Sequence, residues 1–182
     1  MNDFLLFIRL GFEHILDING YDHMLFLVAL SLPFVYKQLR LLLLLVTLFT
    51  LGHTLSLWAA SAGIVRVSSN WVEFLIPLTI LLTALHVLYW NKSIERKPSA
   101  PFFVLTAFFG IIHGLGFSGY FSMLFPQESI GLPLLYFTLG IEFAQLLIVV
   151  LVIVVNSLLS NIFNVSKRDR LLVGSSIIIG IL

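Results

Sequence analysis

The 182-residue chain contains no cysteine, which excludes disulfides and thiolate ligands, so any metal must be held by imidazole and oxygen. Charge is scarce as well. Asp, Glu, Lys and Arg make up 10% of the residues against 59% hydrophobic ones, and mean hydropathy is +1.07, where a soluble domain carries about 25% charged residues. An ordinary soluble domain is thereby excluded, and a formal net charge of +1 gives no reason to invoke nucleic acid. What remains is an integral membrane protein of all-α class. Its length leaves room for about six spans of roughly 20 residues each in a single domain, 1–182, with no second, soluble one.

Apolar runs predict spans near 21–36, 41–62, 71–90, 101–123, 131–159 and 171–182. The last would rise only about 18 Å as a helix, short of a hydrocarbon core of about 30 Å, so it stops inside the bundle or the chain continues beyond it. Residues 1–16 hold a short apolar run broken by Arg9 and no small-residue cleavage signal, which argues against a removable signal peptide and predicts an interfacial helix. Lys37 and Arg40, then Lys92, Arg96 and Lys97, then Lys167, Arg168 and Arg170 fall in alternate connections, with only Arg9 and Arg66 opposite. Cationic loops stay cytoplasmic, so the N-terminus is expected outside a cytoplasmic (inner) membrane. Trp71, Tyr89 and Trp90 at span ends read as interface anchors.

Ionisable groups inside a bilayer are costly and mark ion or substrate pathways. Asp22, His23, His53, His113 and Glu142 each lie in or at the edge of an apolar segment. Counting inward at about 1.5 Å per residue, His53 and His113 are about 14 Å deep and Glu142 about 16 Å, with Asp22 and His23 at the outer mouth. Glu73 joins them at the start of its span, whereas His86 falls near an inner end and reads as structural. Thr138, Glu142 and Gln145 recur at helical spacing and form one polar stripe. Thr47, Thr50 and either His53 or Thr54 form another, and Thr106, Gly110, His113 and Phe117 share a third face. Gly110-Ile-Ile-His-Gly114 is a small-xxx-small pattern that admits a close helix neighbour. The turn signal Asn19-Gly20 folds the segment bearing Glu13, His14 and Asp17 back over Asp22, so that His14 caps the site. Each residue also has a plainer reading. A lone intramembrane His or Glu is often an interhelical hydrogen-bond partner, and Glu13, Asp17, Glu128, Glu73 and His14 can be simply solvated at the interface.

The segments Gly20-Tyr-Asp-His-Met-Leu-Phe26, Thr47-Leu-Phe-Thr-Leu-Gly-His-Thr54, Gly110-Ile-Ile-His-Gly-Leu-Gly-Phe117 and Gly140-Ile-Glu-Phe-Ala-Gln145 resemble the HupE/UreJ family of multi-pass membrane proteins, in its second, less characterised branch. The resemblance runs from about His14 to Gln145. It implies uptake of nickel or cobalt for hydrogenases and ureases, and a metalloenzyme-maturation system as a partner beside lipid and the metal ion.

Imidazole suits Ni, Co, Zn and Cu, and carboxylate without thiolate makes a borderline site. The expected ligand is therefore a divalent metal, nickel, cobalt or zinc, with Asp22, His23 and His14 as the entrance and His53, His113 and Glu142 as the deeper site. Gln145 would orient Glu142, with Thr50, Thr138 and Glu73 around it. A membrane-embedded metal-dependent hydrolase would use the same residues as three ligands plus a water, with a carboxylate as base. Gly116-Phe-Ser-Gly119 resembles the Gly-x-Ser-Gly nucleophile motif of rhomboid proteases, but no histidine follows His113 to serve it. A structural subunit would use all these polar groups as packing alone.

Overall fold

The computed structural model describes residues 3–90, 100–124 and 130–182; Lys92, Arg96, Lys97 and Glu128 lie outside the described residues. Its elements are α1 (Asp3–Ile15), α2 (Asp22–Ser31), a 3₁₀ turn at Tyr36–Gln38, α3 (Leu39–Ser61), α4 (Ser69–Trp90), α5 (Ala100–Leu124), α6 (Gly131–Asn161) and α7 (Lys167–Ile181). Four of these segments, Tyr36–Ser61, Ser69–Tyr89, Phe102–Met123 and Gly131–Asn161, are long and apolar enough to cross a membrane. The protein is therefore a multi-pass helical membrane protein, with four such segments among the described residues where the apolar runs predicted about six. The run expected to span 21–36 stops at Ser31 because Pro33 has no N–H to donate and cannot continue a helix. At ten residues α2 rises about 15 Å. α7 starts where Ser166 accepts a hydrogen bond from Asp169 N–H at 3.1 Å, a helix N-cap, and its 15 residues rise about 22 Å.

Two helix pairs set the architecture, and glycine makes both. α3 meets α5 so closely that a Cβ on Gly52 would collide with the Ala107 carbonyl, one on Gly110 with that of Phe49, and one on Gly114 with that of His53. α1 meets α6 in the same fashion, Gly11 against the Phe137 carbonyl and Gly140 against that of Ile8. Small residues let helix backbones approach where there is no hydrophobic drive to associate in lipid. The segment expected to be interfacial thus forms a helix that lies against α6. Between the pairs the packing is of a different kind: α3 faces α6 through side-chain hydrogen bonds, Thr54 Oγ1 to Thr138 Oγ1 at 3.0 Å among them. Leu44, Leu51, Leu55, Val104, Phe108, Phe143 and Val150 point outward and are exposed, as lipid-facing positions require.

Candidate metal centre

Four imidazoles arrive from four helices. His14 is in the last turn of α1, His23 in the first turn of α2, His53 on α3 and His113 on α5. The glycine contact fixes the last two, since Gly114 packs on the carbonyl of His53. His14 and His23 are brought in by the bend between α1 and α2, where Asp17 Oδ1 accepts from Asn19 N–H at 2.9 Å, an Asx turn. Ring centroids are 4.7 Å apart for His14 and His23, 5.5 Å for His23 and His53, and 5.1 Å for His23 and His113.

Donor atoms of His14, His23 and His53 lie within 4.8 Å of one another. Nitrogens sharing one ion at about 2.0–2.1 Å stand somewhat closer than that, so the rings would have to draw together to hold one. Nε2 of His14, His23 and His113 and both ring nitrogens of His53 are buried without a hydrogen-bond partner. Buried polar atoms are nearly always paired, and a neutral imidazole keeps one lone pair beside its N–H, so this cluster of orphaned nitrogens could hold a ligand. The His113 ring is oriented by its main chain: its Nδ1 is 2.8 Å from the Phe109 carbonyl. That contact makes Nδ1–H the donor and leaves Nε2 as the acceptor, the arrangement by which a second partner orients a metal-binding histidine. His14 is outside the long spans, and burial pushes its imidazole down to about 4 against the opposing pull of Asp17. It is neutral at pH 7 and able to coordinate.

A cavity of about 440 Å³ opens onto the cluster between the α1–α2 bend, α4 and α5; His14, His23 and His113 reach it, and Asp17, Asp22 and Glu73 line it. Carboxylates in such a cleft concentrate cations. A second cavity of about 730 Å³ reaches His14 from the side of Phe117, Tyr120 and Phe137, and the Phe117 ring covers His14 at 3.9 Å between centroids. Asp17 and Phe117 are the participants that residue type alone did not single out. The Asn19-Gly20 turn was the available signal for the first.

Glu142 takes a separate place. Its Oε1 accepts from Thr47 at 2.7 Å and its Oε2 lies 2.6 Å from Thr50 Oγ1, so it belongs to the α3–α6 seam rather than to the histidine group. Gln145 Oε1 also lies 2.7 Å from Thr50 Oγ1, while the buried Nε2 of Gln145 has no partner. One hydroxyl carries one proton. With the Gln145 amide turned to present Nε2 to Thr50, Thr50 accepts from Gln145 and donates to Glu142, and both atoms are satisfied. Thr138 extends the seam through Thr54. His86 is remote from it, stacked on Phe102 with centroids 5.0 Å apart.

Across residues 1–182 the chain matches the HupE / UreJ protein family. It belongs to that family. No curated protein and no solved structure matches it. In this HupE/UreJ protein the segments Gly20–Phe26, Thr47–Thr54 and Gly110–Phe117 each deliver one histidine to the cluster, and Gly140–Gln145 delivers Glu142 and Gln145 to the seam.

Proposed function

We propose that this HupE/UreJ protein is a permease for a divalent transition-metal ion, nickel or cobalt by family resemblance, loaded from the outer face of a cytoplasmic membrane. The observation that carries the reading is the convergence of unpartnered imidazole nitrogens at the floor of a carboxylate-lined cavity. Asp17, Asp22 and Glu73 collect the cation and His14, His23 and His53 take it, with His113 beside them. Neutral imidazoles bind without demanding a fixed charge, which suits an ion that must be released again. Release follows from motion at the α3–α6 seam, where hydrogen bonds of Glu142 can exchange without breaking a glycine contact. The ion would then feed a metalloenzyme-maturation system.

Purified protein in liposomes is the test. Wild type is expected to take up Ni²⁺ or Co²⁺ with saturation, and Glu142→Gln to lower uptake at least about tenfold while metal binding persists, because the substitution disturbs the seam and not the ligands. Tight binding with no passage of any divalent ion under any gradient would overturn transport. That outcome would favour an intramembrane metal-dependent hydrolase, for which three histidines plus an open position and a nearby Asp22 or Glu73 carboxylate are the right parts. The orientation has its own check. With the N-terminus outside, cysteine placed at residue 66 is expected to react with an impermeant reagent in intact cells and cysteine at residue 95 to be protected; the reverse pattern would invert the topology.

A further inference from the structure

Remote from the histidines, α2 ends in main-chain oxygens that have lost their helical donors. Leu32 N–H still bonds the Val28 carbonyl at 3.0 Å, but Pro33 has no N–H to offer Ala29, and Phe34 N–H turns back to the Ser31 carbonyl at 3.0 Å instead of reaching Leu30. The Ala29 and Leu30 carbonyls are thus left without their helical donors in residues that are 0% and 1% exposed. This is the negative end of the helix dipole, held inside protein. Two other helices meet it at Leu32. Asn156 Nδ2 of α6 donates to the Leu32 carbonyl at 3.2 Å, and Gly174 of α7 leaves room for the Leu32 side chain, which would lie 2.8 Å from a Cβ there. The residues adjoining this junction, Ser31 and Ser175, are each 0% exposed, and both hydroxyl oxygens are buried without a hydrogen-bond partner. A serine in a helix ordinarily bonds the carbonyl one turn back; these two do not.

We infer that the Ser31–Leu32–Ser175 junction is a binding site for a small monovalent cation of the sodium class. Uncharged carbonyl and hydroxyl oxygens at a broken helix end are hard donors that suit an alkali ion. A transition-metal ion would favour the imidazoles, and a divalent hard ion would favour carboxylates. From His23 to Ser31 α2 rises about 12 Å, so one rigid helix joins this junction to the histidine cluster, and binding at one end biases the position of the other. The cation site requires no transport of the divalent metal. Its test reads sodium alone, so the two readings stand or fall separately.

The experiment compares thermal unfolding of purified protein in NaCl and in choline chloride at equal ionic strength, for wild type, Ser31→Ala and Ser175→Ala. An ion that binds only the folded state at about a hundredfold over its Kd raises Tm by roughly 5–10 °C for a chain of this size. The expected result is a sodium-dependent rise in wild type that is lost in both variants. Alanine removes an unpartnered buried hydroxyl in each case, so folding in choline is expected to persist. Equal Tm values in the two salts for wild type would overturn the site, and so would a sodium shift retained in both variants.

Discussion

Alanine at His53 is expected to weaken divalent-metal binding by at least about 100-fold, more than the loss of a residue that merely orients a ligand, which costs about 10–100-fold. His53 is the imidazole with both ring nitrogens buried and unpartnered, it is 0% exposed, and its ring centroid is 5.7 Å from that of His14 and 5.5 Å from that of His23. Removing it takes away a ligand and also the part of the cluster floor supplied by α3. Metal analysis after gel filtration and calorimetric titration with Ni²⁺, Co²⁺ and Zn²⁺ should show wild type holding one ion per chain and His53→Ala none. Equal affinities for the two proteins would show that the histidine cluster is not where metal binds.

Valine at Gly110 should be equally severe, but through the fold. The first added atom collides with the Phe49 carbonyl, and neither backbone can yield without parting α3 from α5. Overpacking costs about 1–3 kcal/mol even where side chains can give way, and here the obstacle is main chain. A fall in Tm of more than about 5 °C, or failure to elute as a single species in detergent, is expected. Gly119 is the control: a Cβ there meets nothing within 4 Å, so Gly119→Ala should behave as wild type. Similar melting of Gly110→Val and wild type would mean that the close approach of α3 and α5 is not what holds the pair.

Polar residues in an apolar chain announce themselves, and His53 and His113 could be read as companions from depth alone, whereas His23 counted to the outer mouth and is brought beside them by packing. Depth is one coordinate, however. Glu142 counts to nearly the same level as His53 from the outer end of its own helix, yet α6 is 31 residues long and α3 is 23, so their ends need not be level. The register shown by Thr54 with Thr138 and Thr50 with Glu142 sets the carboxylate about one turn of α3 from His53, toward the N-terminal end of that helix. Spacing within one helix cannot supply that offset, which is decided by packing between helices. The length of α2 departs from its apolar run for a local reason: Leu32, Phe34 and Val35 carry the run past Ser31, while Pro33 has no N–H with which to continue the helix. The Gly110–Gly114 pattern pointed to a tight contact but not to its partner. That α1 would join α6 by a like device, through Gly11 and Gly140, lay in glycines more than a hundred positions apart.

The descent of the four imidazoles from α1, α2, α3 and α5 gives the centre a birth order. As the chain leaves the ribosome, His14 and His23 emerge first, His53 follows after α3, and His113 comes only when most of α5 has been made. Until then Gly114 is absent from the His53 carbonyl, and α3 lacks the close helix contact that sets the position of His53. A half-made chain therefore carries His14, His23 and His53, the three whose donor atoms come within 4.8 Å of one another, before the helix that positions His53 has been completed.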